Sequence, residues 1–107
     1  MIYVDHAATT RLSDRAFEAM LPWLKEEYGN PSQPYSFSRK PRKAIAEARE
    51  SIAACIGAQP EEIFFTSGGT ESDNWAIKGT ALSICREGAL LVSAFEHHAI
   101  LRACEAI

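Results

Sequence analysis

Apolar residues recur at a helical period in four stretches of this chain. Phe17, Met20, Leu21, Leu24 and Tyr28 share one face, which predicts an amphipathic helix from Ser13 to Tyr28. Ser13 suits its N-cap, and Asp14 in the first turn meets the positive end of the helix dipole. Pro22 should kink this helix and Gly29 should end it. Ala44, Ile45, Ala48, Ile52 and Ile56 form the apolar face of a second helix, from about Arg39 to Ile56, closed by Gly57. Lys43 and Glu47 stand four residues apart on its polar side. A third helix is expected from Glu71 to about Arg86, with Trp75, Ile77, Ala81, Leu82 and Cys85 among its apolar positions. A fourth runs from Ala99 to Ile107.

The stretches between the helices divide into loops and candidate strands. Tyr3-Val4 can form only a very short strand. Asp5 to Thr10 is small and polar, and reads as a loop. Gly29 to Ser38 holds prolines, serines and an asparagine, and reads as another. Pro60-Glu61-Glu62 makes a short turn. Ile63 to Thr66 and Ala89 to Ala94 read as strands, the second apolar on both faces as in a covered parallel sheet. The order helix, helix, strand, helix, strand, helix predicts an α/β fold with a parallel sheet. Two buried strands are too few for such a sheet, so the chain reads as the N-terminal piece of a larger protein. Residues 1–60 would be a helical segment with loops, and residues 61–107 the start of a larger domain.

Composition narrows the class. With 107 residues, 47% apolar and 23% charged, the chain has the make-up of a soluble globular protein. A net charge of −3 gives no reason to expect a nucleic-acid or anionic-membrane partner. The apolar runs are too short to span a bilayer, and no secretory signal pattern opens the chain. Cys55, Cys85 and Cys104 lack C-x-x-C spacing, which suggests neither a zinc site nor a disulfide framework and points to a reducing cytoplasm.

The stretch with the most chemical content runs from Phe65 to Asn74. Strand, glycine turn and helix in that order aim free backbone N–H groups, with the helix dipole behind them, at whatever lies above the turn. Gly68 and Gly69 would give unusual φ and close approach of a ligand to the backbone, and Thr70 and Ser72 add hydroxyl donors. A phosphate would sit well there. The same residues also fit a capping box, with Thr70 as N-cap and Asp73 three residues on. The P-loop and dinucleotide spacings are both absent. His97 lies just past the end of the second strand, where open α/β sheets bind ligands, although an ordinary loop histidine fits as well. His98 beside it has no third ligand at helical spacing, so no metal site is expected.

F-T-S-G-G-T-E-S-D-N-W-A-I-K-G from Phe65 resembles the phosphate-cradling segment of the cysteine desulfurases, pyridoxal-phosphate enzymes of the class V aminotransferase group. Y-V-D-H-A-A-T-T from Tyr3, Y-G-N-P-S from Tyr28 and F-E-H-H-A-I from Phe95 agree with the same family in order and spacing. The resemblance implies the N-terminal part of a fold-type I pyridoxal-phosphate transferase, with the large cofactor-binding domain starting near residue 61. It implies that Gly69 and Thr70 hold the cofactor phosphate and that His97 stacks on the pyridine ring. Ala8 and Thr9 fall in the family's D-x-A-A-T-T loop and Asn30 in its G-N-P-S loop, both of which shape the substrate pocket. The substrate would be L-cysteine, converted to L-alanine with the sulfur left as an enzyme persulfide for a sulfur-acceptor protein in iron–sulfur cluster or tRNA-thiolation pathways. The family is homodimeric.

The chain departs from the family in places. Phe95 stands where threonine is usual, Gln33-Pro34-Tyr35 where Ser-x-His is usual, and Ser38 where a glycine is usual. Lys25, Lys40, Lys43 and Lys78 match no Schiff-base context, and none of the three cysteines matches the sulfur acceptor. The family places both groups further along than residue 107. Selenocysteine lyases and other class V relatives share the glycine turn, and a non-catalytic truncated chain is the remaining alternative.

Overall fold

The structure is a computed structural model that describes residues 2–84 and 88–107. Its elements are α1 (Asp14–Lys25), α2 (Arg39–Ile56), α3 (Gly69–Ile84) and α4 (His98–Glu105), with single 3-10 turns at Ser36–Ser38 and Pro60–Glu62. The expected end of the third helix at Arg86, and the place of Cys85 on its face, lie outside the described residues.

The α/β expectation is overturned. No β-strand occurs among the described residues; the fold there is helical. Tyr3-Val4, Ile63 to Thr66 and Ala89 to Ala94 form no ladder. A strand exists only through hydrogen bonds to a neighbouring strand, and apolar patterning does not supply that neighbour. The side chains show the same thing, because Phe64, Leu90, Leu91 and Val92 are exposed rather than covered. The parallel sheet, and with it the placing of functional turns at strand ends, does not describe this structure.

The chain divides into two compact units, residues 1–63 and 64–107. In the first, Ser13 caps α1 as expected, its Oγ accepting from the Ala16 amide at 3.2 Å. The helix stops at Lys25 rather than Tyr28. Pro22 lies one turn before that stop, and the Glu26 and Glu27 amides both close on its carbonyl, at 2.8 and 2.9 Å. A proline has no amide to donate, so the ladder is already incomplete there. Helix α2 runs over its expected span. Gly57 ends it in the left-handed region at φ +69°, a conformation that costs glycine nothing. Ala53 and Pro41 are its buried residues. Beyond it, Arg49 Nε donates to the Ile63 carbonyl at 3.0 Å and ties α2 to the chain that follows the second 3-10 turn.

In the second unit, α3 packs against α4. Among the described residues of this unit the buried positions are alanines: Ala81 on α3, and Ala99 and Ala103 on α4. Residues four apart share a helix face, which puts Ala99 and Ala103 on one stripe. Phe64 meets Trp75 edge-on, ring centroids 5.2 Å apart.

Candidate functional site

In the second unit the loop before α3 is tightly bonded to the helix. Ser67 donates to Glu71 Oε2 twice, from its amide and from its hydroxyl, each at 2.6 Å. Thr66 Oγ1 and Ser72 Oγ share a hydrogen bond of 2.7 Å, and the Ser72 amide donates to the Gly68 carbonyl at 3.2 Å. The Ser67 hydroxyl, and then its amide, hold the Glu71 carboxyl below its ordinary value of 4.5. Each bond is to the charged form and so favours it.

This geometry moves the cap. Thr70 lies inside the first turn of α3, and its expected capping-box role with Asp73 is not formed. The helix already starts at Gly69, and Glu71 instead accepts from both the amide and the hydroxyl of Ser67. The expected unusual φ of Gly68 and Gly69 is also absent, since Gly57 is the only described residue with positive φ. A Cβ built on either Gly68 or Gly69 meets nothing within 4 Å. Neither backbone strain nor a neighbouring atom accounts for these two glycines. What they leave is open space beside first-turn amides, for which an α-helix has no acceptors of its own. A small oxyanion suits that position.

His97 takes a different place from the one expected. It precedes no sheet edge; it caps α4, its Nδ1 accepting from the Ala99 amide at 3.2 Å. The ring is exposed and lies 6.2 Å, centroid to centroid, from that of His98. Gly69, Thr70 and His97 thus belong to the first turns, or the cap, of two helices that pack together.

Ala8, Thr9 and Asn30 belong to the other unit. The loop holding Ala8 and Thr9 is closed by Tyr3, whose hydroxyl lies 2.7 Å from the Asp5 carbonyl and 3.0 Å from that of Thr9. His6 Nδ1 and Thr10 Oγ1 add a bond of 2.8 Å. Asn30 turns its side chain into its own loop, Oδ1 accepting from the Ser32 amide at 2.9 Å. From α2, Arg42 donates Nε to the Pro31 carbonyl and Nη2 to that of Gln33, both at 2.9 Å. Beside this brace lies a cleft of about 290 Å³, lined by Pro31, Ser32, Arg42, Ile45, Ala46 and Arg49. Sequence reasoning missed Tyr3 and Arg42, because bonds to backbone carbonyls carry no residue-type signature. Among the described residues no group of three or more His, Cys, Asp or Glu is placed to hold a metal.

The chain is similar to known proteins. The chain is 54% identical over 104 residues to the cysteine desulfurase IscS of Dictyoglomus turgidum, covering 96% of this chain and 26% of that protein. It is 51% identical over 105 residues to a putative cysteine desulfurase IscS 1 of Bacillus subtilis, covering 97% of this chain and 28% of that protein. A solved structure of a NifS-like protein superposes with a TM-score of 0.88 at 36% identity, over 95% of this chain and 28% of that one. The chain therefore spans about a quarter of the length of the curated relatives it matches. The model of the aminotransferase class-V family matches residues 2–107, and the chain belongs to that family.

Proposed function

We propose that this chain provides the cofactor-phosphate cradle and part of the substrate pocket of a pyridoxal-phosphate-dependent cysteine desulfurase. The observation that carries the reading is the open space at Gly68 and Gly69 beside the first-turn amides of α3. It suits a phosphate, and identity of about half to cysteine desulfurases supports cysteine as the substrate in this reading. In this reading the amides of Gly69 and Thr70 and the Thr70 hydroxyl bind the phosphate, where the helix dipole favours negative charge. The Glu71 carboxylate is tied to Ser67 and orders the entry to the turn. His97, oriented by its bond to the Ala99 amide, presents its ring to the cofactor. Ala8, Thr9 and Asn30 shape the pocket that receives L-cysteine. Pyridoxal phosphate, when bound, supplies an electron-withdrawing ring that stabilises negative charge at the substrate α-carbon.

The products are L-alanine and an enzyme persulfide, whose sulfur goes to an acceptor protein. The setting that accompanies this reading is a cytoplasmic homodimer with no nucleic-acid or membrane partner. Among the described residues no helix is long and apolar enough to cross a membrane. The test is to incubate the full-length protein with pyridoxal phosphate, a reductant and either cysteine or selenocysteine, and to measure alanine with sulfide or selenide. Alanine and sulfide in equal amounts from cysteine are expected. Release no faster than with free cofactor rejects the reading. The 107 residues alone, without a matching lysine, are expected to give only that background.

A further inference from the structure

We infer that Arg42 is a positioning residue for substrate binding, acting from α2 through the Asn30 loop; this rests on the reading that Asn30 lines the cysteine pocket. The loop from Gly29 to Gln33 is held by three kinds of contact. The Asn30 carboxamide oxygen accepts the Ser32 amide at 2.9 Å, and the Asn30 carbonyl accepts the Gln33 amide at 3.1 Å. These two bonds are local and set the turn's shape, but they do not fix where the turn sits. Arg42 does that. Its guanidinium donates to the carbonyls on either side of Ser32, those of Pro31 and Gln33, both at 2.9 Å. Residue 32, whose amide orients the Asn30 side chain, is thereby clamped between two anchored peptide groups.

The choice of arginine follows from this geometry. Two carbonyls two residues apart need two donors held rigidly in one plane, and the guanidinium fork supplies them. A lysine ammonium is a single flexible point charge and cannot reproduce that planar fork. With Asn30 Oδ1 committed to the Ser32 amide, its Nδ2 group is left to donate outward, as a substrate carboxylate requires. The position of that donor then depends on Arg42, although Arg42 is no part of the pocket wall in this reading.

The test uses the full-length protein and steady-state kinetics with cysteine for Arg42→Lys, Arg42→Ala, Asn30→Ala and the double variant Arg42→Lys/Asn30→Ala. Thermal unfolding of each identifies variants that fail to fold, and Arg42→Lys retains the charge and most of the stem if Arg42→Ala does not. Loss of one charge-assisted bond in the brace is expected to raise KM about tenfold with kcat little changed. The double variant is expected to have the KM of Asn30→Ala alone, because a residue acting through another adds nothing once that other is gone. An unchanged KM in Arg42→Lys, or additive effects in the double variant, overturns the assignment of Arg42 while leaving the pocket reading intact. An unchanged KM in Asn30→Ala overturns the pocket reading, and the role of Arg42 falls with it.

Discussion

Gly29 lies against Phe37 with no room for a methyl group between them. A Cβ on Gly29 would sit 2.7 Å from Phe37 Cδ2 and 2.9 Å from the Phe37 carbonyl oxygen. The ring could swing away, but the carbonyl belongs to the 3-10 turn that leads into α2 and cannot move alone. Gly29→Ala is therefore expected to destabilise the protein by about 1–3 kcal/mol, the usual range for overpacking. Thermal or urea unfolding of the full-length protein checks it. Wild-type stability in that variant would mean that the loop shifts freely.

Ser38 presents the opposite case. It is fully buried, and its hydroxyl has no hydrogen-bond partner among the described residues. It stands at the N-cap of α2 without capping it. A buried hydroxyl with no partner carries its desolvation penalty uncompensated. Ser38→Ala is expected to leave stability unchanged or raise it, by about 1 kcal/mol. A measured loss of stability would reveal a partner for that oxygen.

His97 performs two tasks that separate by substitution. Its Nδ1 caps α4, and its ring is assigned to the cofactor. His97→Ala removes both, at a cost of about 1 kcal/mol for the cap. His97→Asn keeps a cap-forming side chain and removes the aromatic ring. Both variants are expected to alter the visible absorption of the bound cofactor, whereas only His97→Ala loses the stability. A normal spectrum in His97→Asn, with an altered one in His98→Ala, would move the stacking role to His98.

Thr70 is assigned a hydroxyl contact with the phosphate. In the full-length protein Thr70→Val is expected to weaken cofactor affinity by roughly 1.5–3 kcal/mol, the range for a hydrogen bond to a charged group. Helix capping does not confound this measurement, because α3 begins before Thr70. An unaltered titration with pyridoxal phosphate would remove Thr70 from the cradle.

Glu71 gives a pH dependence with a definite sign. Its folded-state pKa is depressed below 4.5 by its bonds to Ser67. The stabilisation it provides is fully present above that ordinary value. It is lost as pH falls below 4.5 and through the folded-state value. Glu71→Gln is expected to flatten the acid limb of the stability curve over that interval and to change little near neutrality. An acid limb of the same slope in the variant would mean that Ser67 contributes nothing through this pair.

The presence and order of the helices were legible in the sequence because of their periodic apolar residues, and the stop of α2 because of Gly57. Gly57 ends α2, whereas α1 stops at Lys25, ahead of the expected stop at Gly29. The strands were not legible. Ile63 to Thr66 and Ala89 to Ala94 have the apolar character of strands, but pairing depends on a partner that local pattern does not specify. The proposed site drew on residue type, as in the Gly68-Gly69 turn, whose expected φ the structure does not show. It was hidden where side chains reach backbone carbonyls, as Tyr3 and Arg42 do. The capping-box role expected of Thr70 is not formed, because α3 starts at Gly69. Thr-Glu-Ser-Asp fits a capping box by spacing, yet the bonds at this helix start run from Ser67 to Glu71.

The seam between α3 and α4 rests on Ala81, Ala99 and Ala103. Most cores lose stability chiefly when a large side chain is cut down and a cavity opens. Among the described residues, the buried positions of this seam offer no such side chain to lose. Its mutational response is one-sided: alanine to glycine removes a single methyl group, whereas any larger residue must push two helices apart. Sequence drift at these three positions is therefore confined to the smallest residues, and the spacing of the two helix starts that frame the proposed cofactor site is held by the absence of bulk.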